Sequence, residues 1–492
     1  MDHRIQAEAV FLAADSGPTL QGRLMAALVR LILDRRYPPG TRLPSTRHLA
    51  QHLGMSRLTV TLVYQELAAQ GYIESLPRSG YVVASGVPHR RIVPPAAGPG
   101  DAAVDWDAWL TRAPRRQRVI RKPDDWQSYR YPFIFGQPDP TLFDLGAWRD
   151  CVRLSMGRRE FSDLAVDRFG RDDPMLVDFI CANTLPRRGI LAPPENVLIT
   201  LGAQHALFMA VDLLAAPDRL AVMEEPGYPD FAETLRRATC PVQYQPIDDH
   251  GLNPAALPEA TRLVMVTPSH NIPTGITMPL PRRRELLRRA RERDFLIIED
   301  DYDFEMSYLA PPAPALKSLD RSDRVIYIGS FSKSLFPSMR IGYMVGPAPF
   351  IAAARELRTI MLRHPPAHLQ RVTAHFLARG FYDAHIVNLR RTFRSRHAAL
   401  IDALDGARGL TLAGSATEGG SSVWVRGPEG VDSLALSQAL RPQSVLIEPG
   451  AVFFDQPAAP CPSFRLGYAA INESRIAEGI RVIDAEARRQ SR

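Results

Sequence analysis

Lys333 sits in Ser330-Phe331-Ser332-Lys333, with Arg340 seven residues on. It is one of only three lysines, with Lys122 and Lys317, in a chain that carries 60 basic residues. Arginine stays protonated and is a poor nucleophile, whereas a lysine amine can lose its proton and form a Schiff base. The serines and Arg340 offer hydroxyls and a guanidinium to a phosphate around that amine. Two other short stretches carry related chemistry. Gly202-Ala203-Gln204 follows the apolar run "NVLIT" at a helix start, where free backbone N–H groups and the helix dipole suit a phosphate. Glu299-Asp300-Asp301-Tyr302 follows "FLII" and brings a carboxylate able to keep a heterocyclic nitrogen protonated, with a tyrosine able to donate to a phenolic oxygen.

Singly, these stretches have ordinary explanations, such as a tight strand-to-helix turn or a solvated acidic loop. Together they meet the needs of pyridoxal 5'-phosphate, whose aldehyde takes a lysine, whose pyridine nitrogen takes an acid and whose phosphate takes a helix start with Ser and Arg. Lys317 lies in the Pro-rich "PPAPALKSLD" with no such set around it, so Lys333 is the candidate.

The elements that must position these residues alternate along the chain. "NVLIT", "RLAVM", "RLVMVT", "FLIIED" and "RVIYIG" are near-continuous apolar runs separated by helical segments. Such a pattern predicts a mostly parallel sheet covered by helices on both faces. Ligands of such sheets bind at the carboxyl ends of the strands, where the candidate residues fall.

A different module precedes this body. "PTLQGRLMAALVRLILDRR" spaces Leu20, Leu24, Leu28, Leu31 and Ile32 as an amphipathic helix that stops at "YPPG". Ser45 caps a short helix with Leu49, Ala50 and Leu53 on its apolar side, Gly54 ends it, and Ser56 caps a second helix whose inner face is Val60, Val63, Tyr64 and Leu67. Two helices so joined predict a helix-turn-helix. Arg57, Thr59 and Thr61 fall off the apolar face and are available to a DNA groove, with Arg47 in reach of phosphate. "GYIESLPRSGYVVA" then predicts a hairpin with a basic tip, a wing.

Length and charge agree with this division. A chain of 492 residues predicts two or three domains. Residues 1–122 hold 17 Lys/Arg against 9 Asp/Glu, while the whole chain nets only +7, so a basic front end precedes a near-neutral body. Residues 85–127 are rich in Pro, Gly and charge and read as a semi-rigid tether, with room for a helical turn at Trp106 and Trp109. Cys151, Cys181, Cys240 and Cys461 show neither disulfide-framework nor zinc spacing, and no metal is expected. No run approaches about 20 apolar residues and the first residues are unlike a secretory signal, so a cytoplasmic protein with no membrane partner is expected.

"LPSTRHLAQHLGMSRLTV…YQELAAQGYI…PRSGYVV" resembles the winged helix-turn-helix of GntR-type bacterial transcription factors. The resemblance implies operator contacts at Arg47, Ser56, Arg57, Thr59, Arg78 and Gly80; Leu58 departs from the polar or small residue common after the Ser-Arg pair. Residues 129–485 resemble fold-type I aminotransferases, with "FGQPD" (135–139) where the large domain usually begins, and as a whole the chain resembles the MocR family of chimeric regulators. The resemblance implies an N-terminal α+β winged helix-turn-helix over 17–84, the tether over 85–127, and an α/β aminotransferase-like domain over 128–485, itself a large mostly parallel sheet domain plus a small α/β domain. It implies a phosphate cup of Ala203, Gln204, Ser330, Ser332 and Arg340. Asp300 would pair with the pyridine nitrogen, Tyr302 would bond the ring hydroxyl, and Lys333 would form the internal aldimine. Tyr228 would stack on the pyridine, His270 or Asn271 would reach the ring hydroxyl, and Arg465 would pair a substrate carboxylate, its alternative role being an interior salt bridge. Asp230 stands where some amino-acid-sensing relatives carry a basic residue, which argues against simply assigning an ω-amino acid effector.

The expected function is a PLP-dependent transcriptional regulator that binds double-stranded operator DNA as a head-to-tail homodimer and senses PLP, or a small amino compound, through an aldimine at Lys333. The alternative is an active PLP-dependent aminotransferase with a DNA-binding appendage.

Overall fold

The computed structural model describes residues 10, 19–77, 80–86, 104–110, 122–414 and 418–491. The chain divides into two compact units, Met1–Trp109 and Leu110–Arg492.

In the first unit, α1 (Leu20–Leu33) begins where the Thr19 hydroxyl accepts from Gly22 N, and it buries Leu24, Leu28 and Ile32. Leu20 is exposed and Leu31 half-buried, so the buried stripe is narrower than the leucine spacing suggests. Ser45 and Ser56 cap α2 (Thr46–His52) and α3 (Arg57–Ala69), their hydroxyls accepting from His48 N at 3.2 Å and Thr59 N at 3.1 Å. Leu49 of α2 and Val60, Val63, Tyr64 and Leu67 of α3 close over α1 as one core. The Tyr64 hydroxyl, within that core, donates to Pro44 O at 2.9 Å, satisfying the polar end of a buried ring. β1 (Ile73–Leu76) and β2 (Gly80–Val83) form the antiparallel wing, and Arg42 bridges to Val82 at its edge. Trp106–Trp109 is a helical turn, both tryptophans exposed.

The second unit is built on an eight-stranded sheet. Its strands are β3 (Val197–Thr200), β4 (Leu220–Glu225), β5 (Val242–Asp248), β6 (Gly251–Leu252), β7 (Thr261–Val266), β8 (Leu296–Asp301), β9 (Val325–Ser330) and β10 (Gly342–Val345), in the spatial order β3-β10-β9-β8-β7-β4-β5-β6. β9, β8, β7, β4 and β5 run parallel, while β10 lies antiparallel between β9 and β3. The sheet is therefore mixed at both edges, through Gly342–Val345 on one side and the short return strand Gly251–Leu252 on the other. Alternate residues go to opposite faces: Leu198 and Met344 join one core, Val197, Ile199, Tyr343 and Val345 the other. Both faces being covered explains why these strands read as continuous apolar runs.

A smaller sheet, β11 (Thr411–Leu412), β12 (Ser422–Arg426), β13 (Glu448–Pro449) and β14 (Ser463–Gly467), is antiparallel in the order β11-β12-β14-β13. Two long helices, α4 (Phe381–Asp405) and α5 (Glu473–Gln490), lie against each other beside it. Among the described residues, no helix is long and apolar enough to cross a membrane.

Candidate functional site

Register brings the carboxyl ends of three strands together. Gly342 of β10 faces Thr200 of β3 on one side and Ser330 of β9 on the other, and Asp300 of β8 faces Ile328. Beyond Thr200 the chain turns at Gly202 (φ +79°), so that Ala203 and Gln204 open the helix Ala203–Leu214. A Cβ on Gly202 would lie 3.1 Å from the Arg340 guanidinium, so the glycine lets the arginine cover the helix start. Arg340 Nη2 donates to Leu201 O at 2.9 Å. Ser330 Oγ accepts from Ser332 N at 3.1 Å, and the buried Ser332 Oγ has no protein partner. Ala203, Gln204, Ser330, Ser332 and Arg340 thus lie at adjoining strand ends, as the sequence reading expects.

Asp300 is buried and its Oδ1 has no partner. Burial pushes its carboxyl up to about 8, with Asp301 and Asp303 adding repulsion and Lys333 opposing. The Tyr228 hydroxyl donates to Gln204 Oε1 at 2.8 Å, with Asp230 Oδ2 at 3.2 Å. Tyr302, expected to reach a ring hydroxyl, donates to His270 O at 3.1 Å and sets its ring edge-on to Phe135. His270 is tied through Nδ1 to Asp303 Oδ1 at 2.8 Å; burial disfavours its imidazolium, but Asp303 outweighs this and the pKa is raised. Asn271 Oδ1 accepts from Thr274 Oγ1 at 2.7 Å. His270 Nε2 and Asn271 Nδ2 both lack a hydrogen bond of good geometry, although the Asn271 amide helps stabilise the buried carboxylate of Glu224.

Lys333 lines a cavity of about 290 Å³ together with Lys122, Phe135, Tyr228, Asp230, Ile272 and Arg465. Burial pushes its amine down to about 7, and the cations Lys122 and Arg465 add to the fall against Asp303 and Glu448. Phe135 organises this end of the site. Its ring centre is 4.4 Å from Lys333 Nζ and 4.1 Å from Arg465 Cζ, its N–H donates to Glu448 Oε1 at 3.2 Å, and its carbonyl accepts from Lys122 Nζ. Arg465 Nε pairs with Glu448 Oε2 at 2.7 Å, so Arg465 makes an interior salt bridge and also lines the cavity. Lys317 is elsewhere, beside Asp320 and Asp323.

Sequence reasoning passes over Lys122, Gly136 and Glu448. The scarcity of lysine that marks Lys333 marks Lys122 equally, but Lys122 falls in the stretch expected to be a tether. Among the described residues, no group of three or more His, Cys, Asp or Glu side chains is placed to hold a metal.

The set left unpartnered comprises an acid, a hydroxyl and an imidazole nitrogen, grouped with a near-neutral amine, a guanidinium and a helix start. It fits a phosphorylated pyridine aldehyde and offers little to a metal.

In the first unit, Arg47 and Arg57 are exposed, one on each helix of the pair. Ser56 Oγ and Thr59 Oγ1 lie 2.8 Å apart, and Thr61 Oγ1 donates to Arg57 O at 2.9 Å. Beside Arg57, Leu58 is 67 % exposed and Leu62 42 %. Gly80 (φ +86°) opens β2, while Arg78 lies outside the described residues.

Two family models match the chain: "Bacterial regulatory proteins, gntR family" over residues 20–83, and "Aminotransferase class I and II" over residues 186–483. The HTH-type transcriptional regulator TauR of Rhodobacter capsulatus is 47% identical over 476 residues, 97% of this chain and 98% of that protein. The probable rhizopine catabolism regulatory protein MocR of Rhizobium meliloti is 30% identical over 473 residues, 95% of this chain and 94% of that one. Among solved structures, LysN, the α-aminoadipate aminotransferase of Thermus thermophilus complexed with N-(5'-phosphopyridoxyl)-L-leucine, superposes with a TM-score of 0.70 at 26% identity, covering 79% of this chain and 99% of that one.

Proposed function

Because the chain belongs to the MocR-type transcriptional regulators, in which a gntR-family winged helix-turn-helix precedes an aminotransferase class I and II fold, we propose that it is a regulator whose second unit holds pyridoxal 5'-phosphate on Lys333 and responds to a small amino compound there. The observation that carries this reading is the pairing of a Lys333 amine held near 7 with a buried, unpartnered Asp300. When bound, the cofactor supplies an aldehyde carbon that condenses reversibly with primary amines.

The chain's own residues divide the work of holding it. Lys333, uncharged at neutral pH for a large fraction of the time, offers a nucleophile without a separate base. Asp300 meets the pyridine nitrogen in a place where an unpaired carboxylate is costly. Ala203 and Gln204 N–H groups, Ser330, Ser332 and Arg340 take the phosphate. Tyr228 covers one ring face, and Tyr302, with His270 or Asn271, meets the ring oxygen. Arg465 receives a ligand carboxylate, its orientation fixed by Glu448.

Operator DNA is engaged in this reading by Arg47, Ser56, Arg57, Thr59, Arg78 and Gly80, with a second copy of the chain supplying the other half-site contact. Exchange of Lys333 for an amino compound shifts the balance between two states of differing DNA affinity.

A working transaminase is the second reading, favoured by Arg465 lining the same cavity as a near-neutral lysine. Following binding to the DNA upstream of its own gene while amino compounds are added tests the first reading. Turnover with an added keto acid at about 1–1000 per second would favour the second.

A further inference from the structure

Lys122 is the third cation of the cavity, and it comes from a part of the chain whose composition predicts a tether. Its amine donates to Phe135 O and lies 3.8 Å from Glu448 Oε1, while the other oxygen of that carboxylate holds Arg465 at 2.7 Å. One carboxylate therefore serves two cations. Glu448 and Arg465 are almost fully buried, with side chains 4% and 2% exposed, whereas Lys122 is 22% exposed and faces the cavity. An ammonium has three donors; Phe135 O and Glu448 engage two of them. The cluster carries one positive charge more than it can neutralise, at low solvent exposure, where an unpaired charge is costly. Asp230 also lines the cavity, where its carboxylate accepts from the Tyr228 hydroxyl at 3.2 Å.

We propose that Lys122 is a ligand-recognition residue: with Arg465 it binds the anionic group, carboxylate or sulfonate, of an amino compound whose amine is received at Lys333. This inference rests on the cofactor being held by Lys333. It also gives the segment that follows the DNA-binding unit in sequence a direct stake in the ligand, because the anion would take the remaining donor of Lys122.

Full-length protein loaded with pyridoxal 5'-phosphate provides the test, in two separable arms. In the first, borohydride reduction and peptide mass mapping report whether the cofactor is on Lys333; a label elsewhere or none sinks the cofactor reading itself. In the second, performed on unreduced protein from a preparation shown to carry the cofactor at Lys333, dissociation constants for glycine, 3-aminopropanoate, 2-aminoethanesulfonate and propylamine, which lacks an anionic group, are read from the visible absorbance change. Lys122→Met is expected to weaken the preferred anionic probe at least about tenfold relative to propylamine, and Lys122→Arg to restore most of that ratio. Taking the ratio cancels any general effect of Lys122 on the Lys333 amine. The ranking of the carboxylate and sulfonate probes identifies the head group. A ratio unchanged in Lys122→Met, with the cofactor on Lys333, overturns the proposal.

Discussion

Lys122 and Lys333 converge on one glycine. A Cβ at Gly136 would collide with Lys333 Nζ and lie 3.7 Å from Lys122 Nζ, and the backbone there has φ +73°. Two of the three lysines in the chain thus share a space that only a residue without a side chain leaves open.

Gly136→Ala follows directly. The left-handed backbone costs an alanine about 1–2 kcal/mol, which a domain of this size tolerates. The amine of Lys333 must move aside. The expected outcome is a folded protein with a slightly lower melting temperature and cofactor uptake slowed at least about tenfold; uptake at the wild-type rate would show that the amine sits elsewhere.

The pH dependence of uptake has a definite sign. With the Lys333 amine pushed down to about 7, chiefly by burial, the neutral form rises about tenfold between pH 6 and pH 8. The rate of cofactor incorporation into apoprotein should rise with it. Lys122 is a positive neighbour, so Lys122→Met favours the Lys333 ammonium and moves this rise to higher pH. Stopped-flow absorbance over that range checks both statements.

Asp300→Ala removes the only acid expected to meet the pyridine nitrogen. Breaking a buried charge pair costs about 3 kcal/mol or more, so cofactor affinity should fall roughly 100-fold. Equilibrium dialysis of the folded variant measures it. Because Asp300 is buried with an unpartnered oxygen and its carboxyl is held up at about 8, the apo variant should be no less stable than wild type near neutral pH.

The clustering of Lys333, Asp300, Ser330 and Ser332 was legible because each lies at or just after the end of an apolar run, where register decides proximity. The helix pair of the first unit was legible through its caps, Ser45 and Ser56, which act within three residues of themselves. What escaped depends on distant pairing. Gly342–Val345 is too short and too evenly buried to announce an antiparallel strand. Glu448 is one acid among many until Arg465 and Lys122 are brought to it. Lys122 is hidden by the Pro/Arg-rich composition around it, although its rarity as a lysine was a usable signal.

In the DNA-binding unit, Arg57→Ala should weaken binding to the fragment upstream of the protein's own gene. If Arg57 meets phosphate, the loss is uniform across sequences and the salt slope drops by about 1; if it meets a base edge, the loss of about 1–3 kcal/mol is confined to the matched site. Fluorescence anisotropy at several salt concentrations distinguishes the two, and an unchanged affinity would remove Arg57 from the interface.

The covalent role of Lys333 is open to one direct measurement, since the chain offers only three lysines. Full-length protein incubated with pyridoxal 5'-phosphate is reduced with borohydride, digested, and mapped by mass spectrometry. The pyridoxyl group is expected on the peptide that contains Lys333, in near-stoichiometric amount; its appearance on Lys122 or Lys317, or its absence from all three, would contradict the proposed role.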